Sequence, residues 1–346
     1  MNNGWKTFLE TSGAHFDDGH ICDFGNPSRE LMVTTTGSIF SPLTHYGIIR
    51  VDGDDAQKFL QGQLTNDIEQ VTDNASQLSG LCNPQGRLLA LFRIFKQCDA
   101  YHLVMPSELI DDILKRLKMF VLMSKVTLED VSSELSTIGL SGPKCEQQLS
   151  DAIGDIPNQT DAAVQLDGIT VIRVIGQHPR FEFFGDQDAL NTMWMKLNVH
   201  ATPVGSNAWE YLDILAGMPV VYKITSGSFI PQMLNLQAVN GLSFKKGCYT
   251  GQEIIARLQY RGKLKRHMHL VTIETDTAPE PGANLYTSLE TRNEAVGNIV
   301  CAQINAEGNC NALAVVINEF AQDGSTFLES VDGPVLTFLA QPYETE

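Results

Sequence analysis

The chain has 346 residues, of which 43% are apolar and 19% charged, and this composition excludes disorder as the dominant state. Lys and Arg number 24 against 41 Asp and Glu, and the resulting net charge of −17 argues against non-specific binding to nucleic acid or anionic lipid. The apolar runs are too short for a membrane span, and the seven irregularly spaced cysteines are typical of free thiols in a cytoplasmic protein.

The first part of the chain predicts an α+β arrangement that follows a loosely organised lead-in over residues 1–40. Periodicity and turn residues predict these elements in order: a strand at 46–51, a helix at 54–64, two hairpin strands at 78–82 and 87–95, a strand at 101–105, a helix at 107–120 and a strand at 126–128. The hairpin turn contains Pro84 and Gly86, and Ser107 is the expected N-cap of the second helix.

A second set of elements follows in a similar order, although no sequence repeat relates the two sets. It comprises a strand at 137–140, a helix at 145–153, strands at 168–174 and 180–184, and a helix at 188–197. Pro and Gly at 279–282 then mark a linker. The short strands beyond it, near Leu285 and at 295–302 and 312–316, indicate a small all-β C-terminal domain.

The segment 245–266 differs from the rest of the chain in its charge. It holds seven basic residues and one acid, Glu253, so it carries +6 and leaves −23 for the remainder. A solvated charged face normally mixes the two signs. Within the segment, Thr250 and Glu253 have the spacing of a capping box, which predicts a helix of about three turns ending at Gly262.

Cys248 lies two residues before the predicted helix cap, where the helix dipole and the neighbouring Lys245 and Lys246 would favour its thiolate. Gly247 and Gly251 leave room for the close approach of a ligand. The alternative is that Cys248 is a small buried residue and that the two glycines only shape a turn. For the other six cysteines, burial is the expected role.

At these residues the sequence resembles the YgfZ proteins, folate-binding relatives of the glycine-cleavage T-protein. The signature of that family, Lys-Gly-Cys-Tyr-Thr-Gly-Gln-Glu, is present in full at residues 246–253. Further matches extend the resemblance over residues from about 45 to 320. Those near the signature lie at 229–232, 235–238, 241–245, 260–262 and 265–266, and weaker ones at 59–67, 83–87, 124–126, 139–143 and 216–219.

The resemblance implies an α+β, T-protein-like fold with two interleaved α+β units and a small C-terminal β-barrel. The implied domains are a lead-in at 1–40, a folate-binding region at 41–270 with subdomains at about 41–135 and 136–270, and a barrel domain at 271–346. The implied cofactor is tetrahydrofolate or a one-carbon derivative. The implied partners are iron–sulfur enzymes or their assembly proteins, including enzymes that modify tRNA.

The resemblance also suggests which residues form the site. Cys248 is the expected reactive thiol, with Lys246 as a second catalytic residue. Tyr46 and Trp209 align with aromatic residues that contact folate in the family, in keeping with the stacking of a flat pterin on an aromatic ring. The remaining expected folate-binding residues are Asn83, Gly247, Tyr249, Gln252, Glu253 and Arg257. No metal site is expected.

The sequence departs from the T-protein at positions that carry acidic residues there. The hairpin turn has Asn83-Pro84 in place of an acidic pair, and Cys248 stands where the T-protein has Asp. The acid that often precedes the Ala-Gly of a later strand is Leu215 here, with Asp213 on the same predicted strand face. Aminomethyl transfer needs a group that assists proton movement at the folate nitrogen, so these departures weigh against that activity.

Three hypotheses remain open from the sequence. The chain is a folate-dependent accessory protein for iron–sulfur enzymes, an aminomethyltransferase of the glycine-cleavage type, or an RNA-binding module that uses segment 245–266. The charge of −23 elsewhere disfavours the third, because it repels phosphate. The basic segment could equally bind the glutamate tail of folate or an acidic partner. We expect a cytoplasmic protein that binds neither membrane nor nucleic acid directly.

Overall fold

The structure, a computed structural model, describes residues 2–17, 19–289, 294–322 and 324–344. Its α-helices are α1 (Asn3–Thr11), α2 (Pro27–Thr34), α3 (Ala56–Gln63), α4 (Ile110–Val121), α5 (Cys145–Ile153), α6 (Gln187–Leu197), α7 (Ser206–Leu215) and α8 (Gln252–Arg261). None of the helices in these ranges has the length and apolarity needed to cross a bilayer.

The strands alternate with the helices along most of the chain. They are β1 (His15–Asp17), β2 (His20–Asp23), β3 (Ile39–Pro42), β4 (Tyr46–Asp52), β5 (Gln77–Cys82), β6 (Leu88–Gln97), β7 (Ala100–Pro106), β8 (Thr127–Asp130), β9 (Ser136–Ser141), β10 (Ala163–Leu166), β11 (Ile169–Val174), β12 (Arg180–Gly185), β13 (Thr202–Pro203), β14 (Arg266–Ile273), β15 (Asn284–Thr287), β16 (Gly297–Ile304), β17 (Cys310–Ile317), β18 (Thr326–Leu328) and β19 (Leu336–Phe338).

Two sheets dominate the part of the chain before α7. A five-stranded sheet has the order β5-β6-β7-β4-β8, and a six-stranded sheet has the order β10-β11-β12-β9-β3-β13. The second sheet is antiparallel except where β13 pairs with β3 in parallel. The register of its centre pairs Phe181 with Leu140 and Phe183 with Ile138, so apolar side chains of β9 and β12 lie on the same face.

The last six strands form the predicted C-terminal barrel. Their order is β18-β15-β16-β17-β14-β19, and every recorded pairing among them is antiparallel. Phe327 in β18 also bridges to Val335, the residue before β19, so the sheet is nearly closed. Apolar side chains of β14, β16 and β17 fill the interior, among them Val271, Ile299 and Ala314. The α+β class and the nearly closed C-terminal sheet confirm the predicted fold class.

The chain forms two compact units, each built from several segments. Unit 1 comprises Met1–Leu60, Ile68–Gln77 and Phe92–Leu212, and unit 2 comprises Gln61–Asp67, Leu78–Leu91 and Asp213–Glu346. Two of the apolar cores within the described residues belong to unit 1. In one, α1, α5 and α6 pack on the six-stranded sheet, and in the other residues of both large sheets pack with α7. The barrel interior is an apolar core of unit 2.

The prediction of a loosely organised lead-in over residues 1–40 is wrong. Helix α1 is capped by Asn2, whose side chain accepts a hydrogen bond from the Gly4 N–H, and it buries Trp5 and Leu9. Trp5 packs edge-on against Trp194 with ring centroids 6.4 Å apart. Large apolar side chains at i and i+4 on a capped helix stabilise it through tertiary packing, even though the segment around them is polar.

Two local predictions about helices also differ from the structure. Residues 107–109 form a short 3-10 turn, so α4 begins at Ile110 and Ser107 is not its N-cap. Residues 213–215, predicted on a strand, are the last turn of α7. That helix is apolar on most sides because it lies in a core, and such a helix has no amphipathic period to distinguish it from a buried strand.

Candidate functional site: the loop before helix α8

Lys246 anchors the loop that precedes α8. Its side chain is almost fully buried, and Nζ donates hydrogen bonds to the backbone carbonyls of Gln61, Leu64 and Asn66 at 2.8, 2.6 and 2.9 Å. An ammonium group has three N–H donors, and each finds an acceptor here. Lys246 therefore fixes the loop to the segment 61–67, and its expected role as a catalytic residue stays a prediction.

The position of the ammonium group follows from the end of α3. The last carbonyls of an α-helix have no intrahelical partner and carry the negative end of the helix dipole. Gln61 lies in the last turn of α3, and Leu64 and Asn66 follow it. A cation placed on these carbonyls satisfies them and is itself stabilised by their partial charge.

The segment 61–67 is also held by side chains of its own. The buried Thr65 hydroxyl donates to the Gly241 carbonyl at 2.9 Å and accepts from the Gly80 N–H at 2.7 Å. The Asn66 amide donates to the Asn240 carbonyl at 2.6 Å. These bonds join three segments of unit 2 around the base of the loop, so the backbone next to Lys246 is fixed from both sides.

Cys248 lies on the exposed part of this loop. All seven cysteines fall within the described ranges, and of these only Cys98 and Cys248 are exposed. The alternative that Cys248 is buried is therefore wrong, and so is the expectation of burial for Cys98, which lies at the β6–β7 turn. Gly247 is exposed as well, and a Cβ added to it would meet no atom within 4 Å. The loop thus leaves open space beside the thiol.

The capping box predicted at Thr250 and Glu253 does not form. Helix α8 begins at Gln252 after Gly251, which has a φ of 84° and no side-chain cap. A Cβ on Gly251 would lie 2.6 Å from the Asn83 carbonyl oxygen and 2.9 Å from the Gly86 Cα. Both the left-handed backbone and the close approach of the hairpin turn require glycine at this position, and they shift the helix start by one residue.

Two glutamines brace α8 and its loop. The Gln252 amide donates to the Gly247 carbonyl at 3.4 Å, across the turn that holds Cys248. The buried Gln232 amide donates to the Ile255 carbonyl at 2.7 Å inside the helix. The helix ends at Gly262, as the sequence predicts. Glu253 and Arg257 are exposed on α8. Their expected contact with a ligand stays a prediction.

Tyr249 is the one large aromatic side chain of the signature, and it is buried. Its ring centroid lies 5.2 Å from Lys246 Nζ. Its hydroxyl has no hydrogen-bond partner among the residues that the structure describes. Burial, together with the nearby Cys82 thiol, raises the pKa of the Tyr249 phenol, so the hydroxyl stays protonated and available as a donor.

The hairpin turn before β6 uses the side chain of Asn83 for its own geometry. Asn83 Oδ1 accepts hydrogen bonds from the backbone N–H groups of Gln85 and Arg87, both at 3.0 Å. The Arg87 guanidinium donates to the Ser228 carbonyl at 2.6 Å. A contact of Asn83 with folate stays a prediction, and the turn contains no carboxylate.

The two predicted aromatic residues belong to unit 1, whereas the rest of the expected site belongs to unit 2. Trp209 is fully buried in α7. The Arg180 guanidinium lies 4.1 Å from the Trp209 ring centroid, and a Cβ on Gly139 would lie 2.5 Å from the same ring. Tyr46 is half-buried at the start of β4, with the His45 ring 4.2 Å away. Pterin stacking on Trp209 would therefore require Arg180 to move.

Sequence analysis missed the partners of Lys246 and of Gly251. The carbonyls that bind Lys246 carry no residue signature, and they lie up to 185 residues earlier in the chain. A signal for the second contact was present, because Gly86 and Gly251 both lack a side chain at the point where the turn meets the loop. Within the described ranges, no three His, Cys, Asp or Glu side chains cluster as a metal site would require.

Comparison with known proteins agrees with this fold. Residues 23–242 match the GCVT N-terminal domain family. The tRNA-modifying protein YgfZ of Colwellia psychrerythraea is 32% identical over 278 residues, which cover 80% of this chain and 85% of the relative. The tRNA-modifying protein YgfZ of Escherichia coli is 32% identical over 318 residues, which cover 90% of this chain and 96% of the relative.

A solved structure has the same architecture. The crystal structure of the glycine cleavage system aminomethyltransferase T from Bartonella henselae superposes with a TM-score of 0.78, covering 99% of this chain and 97% of that one. At 16% sequence identity this likeness concerns the fold alone. The sequence matches extend over most of the chain, and they include the region that precedes the signature. The chain therefore belongs to the YgfZ family, with the fold of the glycine-cleavage T-protein.

Proposed function

We propose that this chain is a tetrahydrofolate-binding accessory protein that supports the assembly or repair of iron–sulfur enzymes, tRNA-modifying enzymes among them. Cys248 is the proposed reactive group. The observation that carries the proposal is the presentation of this thiol, which is exposed on a loop that the buried Lys246 holds by three hydrogen bonds. The relatives named for tRNA modification support the choice of client enzymes.

The loop suits a thiol that acts on a large or bound partner. A reactive group is most effective when its backbone is fixed and its side chain stays accessible, because little ordering is then needed at the moment of reaction. Cys248 meets both conditions. Two reactions of a thiol fit this setting. In the first, the thiolate attacks a one-carbon unit carried by folate, and the folate nitrogen leaves as the C–N bond breaks and takes up a proton. In the second, the thiol accepts the outer sulfur of a donor persulfide, whose own thiol leaves, or the thiolate ligates iron on its way to an iron–sulfur enzyme.

One structural observation supports a folate here: the buried hydroxyl of Tyr249, for which the described part of the chain offers no hydrogen-bond partner. A buried donor without a partner costs about 1–3 kcal/mol, and a polar heterocycle would remove that cost by accepting its hydrogen bond. The folate would supply a one-carbon unit in an activated form. We propose Tyr249 as a donor to the ligand and Asn83, Gly247, Gln252, Glu253 and Arg257 as further contacts. Tyr46 and Trp209 are proposed on the resemblance.

Replacing Cys248 tests the role of the thiol. In a strain that lacks the native gene, we expect Cys248→Ser to abolish rescue of iron–sulfur enzyme activity and of the tRNA modification that depends on it. Cys98→Ser is the matched control, because Cys98 is the other exposed cysteine, and it should rescue fully. Equal rescue by both variants would remove the thiol from the mechanism.

Replacing Tyr249 tests the ligand. Tyr249→Phe deletes a buried hydroxyl that has no hydrogen-bond partner among the described residues, so we expect the free protein to be as stable as wild type or more stable. We expect its affinity for tetrahydrofolate, measured by calorimetry, to fall about fivefold to tenfold, the value of one hydrogen bond. Unchanged affinity would exclude the hydroxyl as a ligand donor while leaving the proposal for Cys248 intact.

An aminomethyltransferase activity of the glycine-cleavage type is the alternative function. The shared fold is compatible with it, but the turn that carries acids in that enzyme has Asn83, whose Oδ1 is already hydrogen-bonded to two backbone N–H groups. We therefore expect no turnover with an aminomethyl-lipoyl carrier and tetrahydrofolate. Formation of methylene-tetrahydrofolate in that assay would establish the alternative.

A further inference from the structure

The end of α4 carries exposed apolar side chains that the proposed function does not use. We call residues 119–123 the α4 tip. Four large apolar side chains within it are exposed: Met119 at 60%, Phe120 at 41%, Leu122 at 87% and Met123 at 97%. Single exposed apolar residues are common on soluble proteins, but a contiguous group of four is typical of an interaction site.

The packing of α4 does not account for these side chains. The helix buries Ile110, Ile113 and Leu117, which face the strands of its own sheet. After Val121 the chain turns at Leu122, whose φ is 46° and ψ is −110°. A positive φ costs a β-carbon-bearing residue about 1–2 kcal/mol, and glycine would avoid that cost. An exposed leucine at this position therefore lowers stability, which favours a role in contact over a role in folding.

The surface around the α4 tip is basic. Lys115, Arg116 and Lys118 precede the tip, with no acid between residues 113 and 128. Lys125, which follows the tip, pairs with Asp54 at 3.1 Å. The Arg116 guanidinium lies 5.7 Å from the Phe120 ring centroid. Beside the tip, Leu114, Lys115, Lys118 and Met119 line a shallow groove of about 450 Å³ together with Asp111. On a chain with a net charge of −17, such a surface attracts a negatively charged partner.

We propose that the α4 tip and the groove beside it form a docking surface for an acidic, amphipathic segment of a partner protein. The apolar side of that segment covers the tip, and its carboxylates face Lys115 and Lys118. Methionine side chains adapt to varied apolar partners, and a groove with apolar anchors is a common way to bind an amphipathic helix. RNA would match the charge but leave the four apolar side chains in water.

Site-specific photocrosslinking identifies the occupant. A photoreactive phenylalanine derivative is placed at position 123 of the full chain and, as a control, at position 195, because Met195 is 65% exposed on α6 of the same unit. Crosslinks are formed in cells that lack the native gene, and the crosslinked peptide is sequenced. We expect position 123 to crosslink to a protein segment that is rich in Asp and Glu and carries apolar residues at helical spacing.

The purified partner then allows affinities to be measured. We expect Leu122→Glu to weaken binding at least about tenfold, as loss of an apolar anchor does, while Met195→Glu has no effect. Lys118→Glu should weaken binding, and exchange of the facing carboxylate for lysine on the partner should restore it. All three positions are exposed, and circular dichroism verifies that each variant folds.

Four outcomes would overturn the proposal. They are crosslinks at position 123 no stronger than at 195, crosslinks to a second copy of this chain, crosslinks to lipid or RNA, and a protein partner whose crosslinked segment is basic. Flotation with vesicles of phosphatidylglycerol and phosphatidylcholine provides an independent measure of lipid binding. Binding that the Leu122→Glu variant abolishes in that assay would assign the tip to a membrane surface.

Discussion

Lys246→Met tests whether the buried ammonium group holds the loop of Cys248. Methionine keeps most of the apolar stem and removes the three hydrogen bonds to Gln61, Leu64 and Asn66. The bond to Leu64 is buried and the other two are partly buried. A carbonyl left without a donor costs about 1–3 kcal/mol, with the low end for partly wet groups. We therefore expect unit 2 to lose about 4 kcal/mol of stability.

Hydrogen exchange followed by mass spectrometry measures this loss in each unit separately. Peptides covering 61–67 and 240–256 should exchange faster by roughly three orders of magnitude, the equivalent of about 4 kcal/mol. Peptides from 163–184 in unit 1 serve as an internal reference. The matched control is Lys245→Met, because Lys245 is the exposed neighbour in the same segment.

Similar exchange rates in the two variants would refute the role given to Lys246. Exchange rates in Lys246→Met within about threefold of those in Lys245→Met would mean that water replaces the ammonium group without cost. The loop would then need another source of rigidity, and the reasoning that links Lys246 to the presentation of Cys248 would fail. A loss confined to unit 1 peptides would contradict it as well.

Three further predictions follow from single contacts. Gly251→Ala should lower the free energy of unfolding by at least about 2 kcal/mol, because the added Cβ would lie 2.6 Å from the Asn83 carbonyl oxygen. Gly247→Ala should change that free energy by less than about 1 kcal/mol, and urea denaturation compares the two variants. Gly139→Ala should destabilise unit 1 by pressing on Trp209, and a change in tryptophan fluorescence should report this. The matched control is Gly62→Ala, because a Cβ at that position would meet no atom within 4 Å. Gly168→Leu, at an open turn, would be a poorer match. Burial lowers the pKa of His45 to about 3 and that of His269 to about 4. As the pH falls below about 6.5, these two histidines therefore take up protons in the unfolded chain before they do so in the folded protein. Stability should therefore fall from about pH 6.5 towards pH 4, and His269→Gln should reduce that slope by up to about 1.4 kcal/mol per pH unit, as urea denaturation at a series of pH values would show.

Sequence reasoning located the elements whose pattern is local. The hairpin strands, α5 at 145–153 and the end of α8 at Gly262 depend on periodicity and on turn residues that lie within each segment. The family signature likewise lies in one continuous stretch, so it could be identified without a structure. In each case neighbouring residues alone carry the information.

The misassigned features depend on distant parts of the chain. The start of α8 is set by the hairpin turn at Asn83 and Gly86, which lies more than a hundred and fifty residues earlier and requires glycine rather than a cap at 251. Helix α1 forms because Trp5 packs on Trp194, not because of its own composition. Tertiary contacts of this kind override local preference, and the residues of the segment alone do not identify the partner that it contacts.

Unit 2 is assembled from parts of the chain that leave the ribosome at very different times. The carbonyl of Asn66 must wait for Lys246, 180 residues later, before it gains its hydrogen bond. At about 5–20 residues per second, that delay is roughly 10 to 35 s. The early segments of unit 2 therefore remain without these partners during about half of synthesis. Because the anchoring contacts of its loop form only after most of the chain has been made, the thiol of Cys248 is held in its final setting late, and a truncated chain that ends before Lys246 cannot build it.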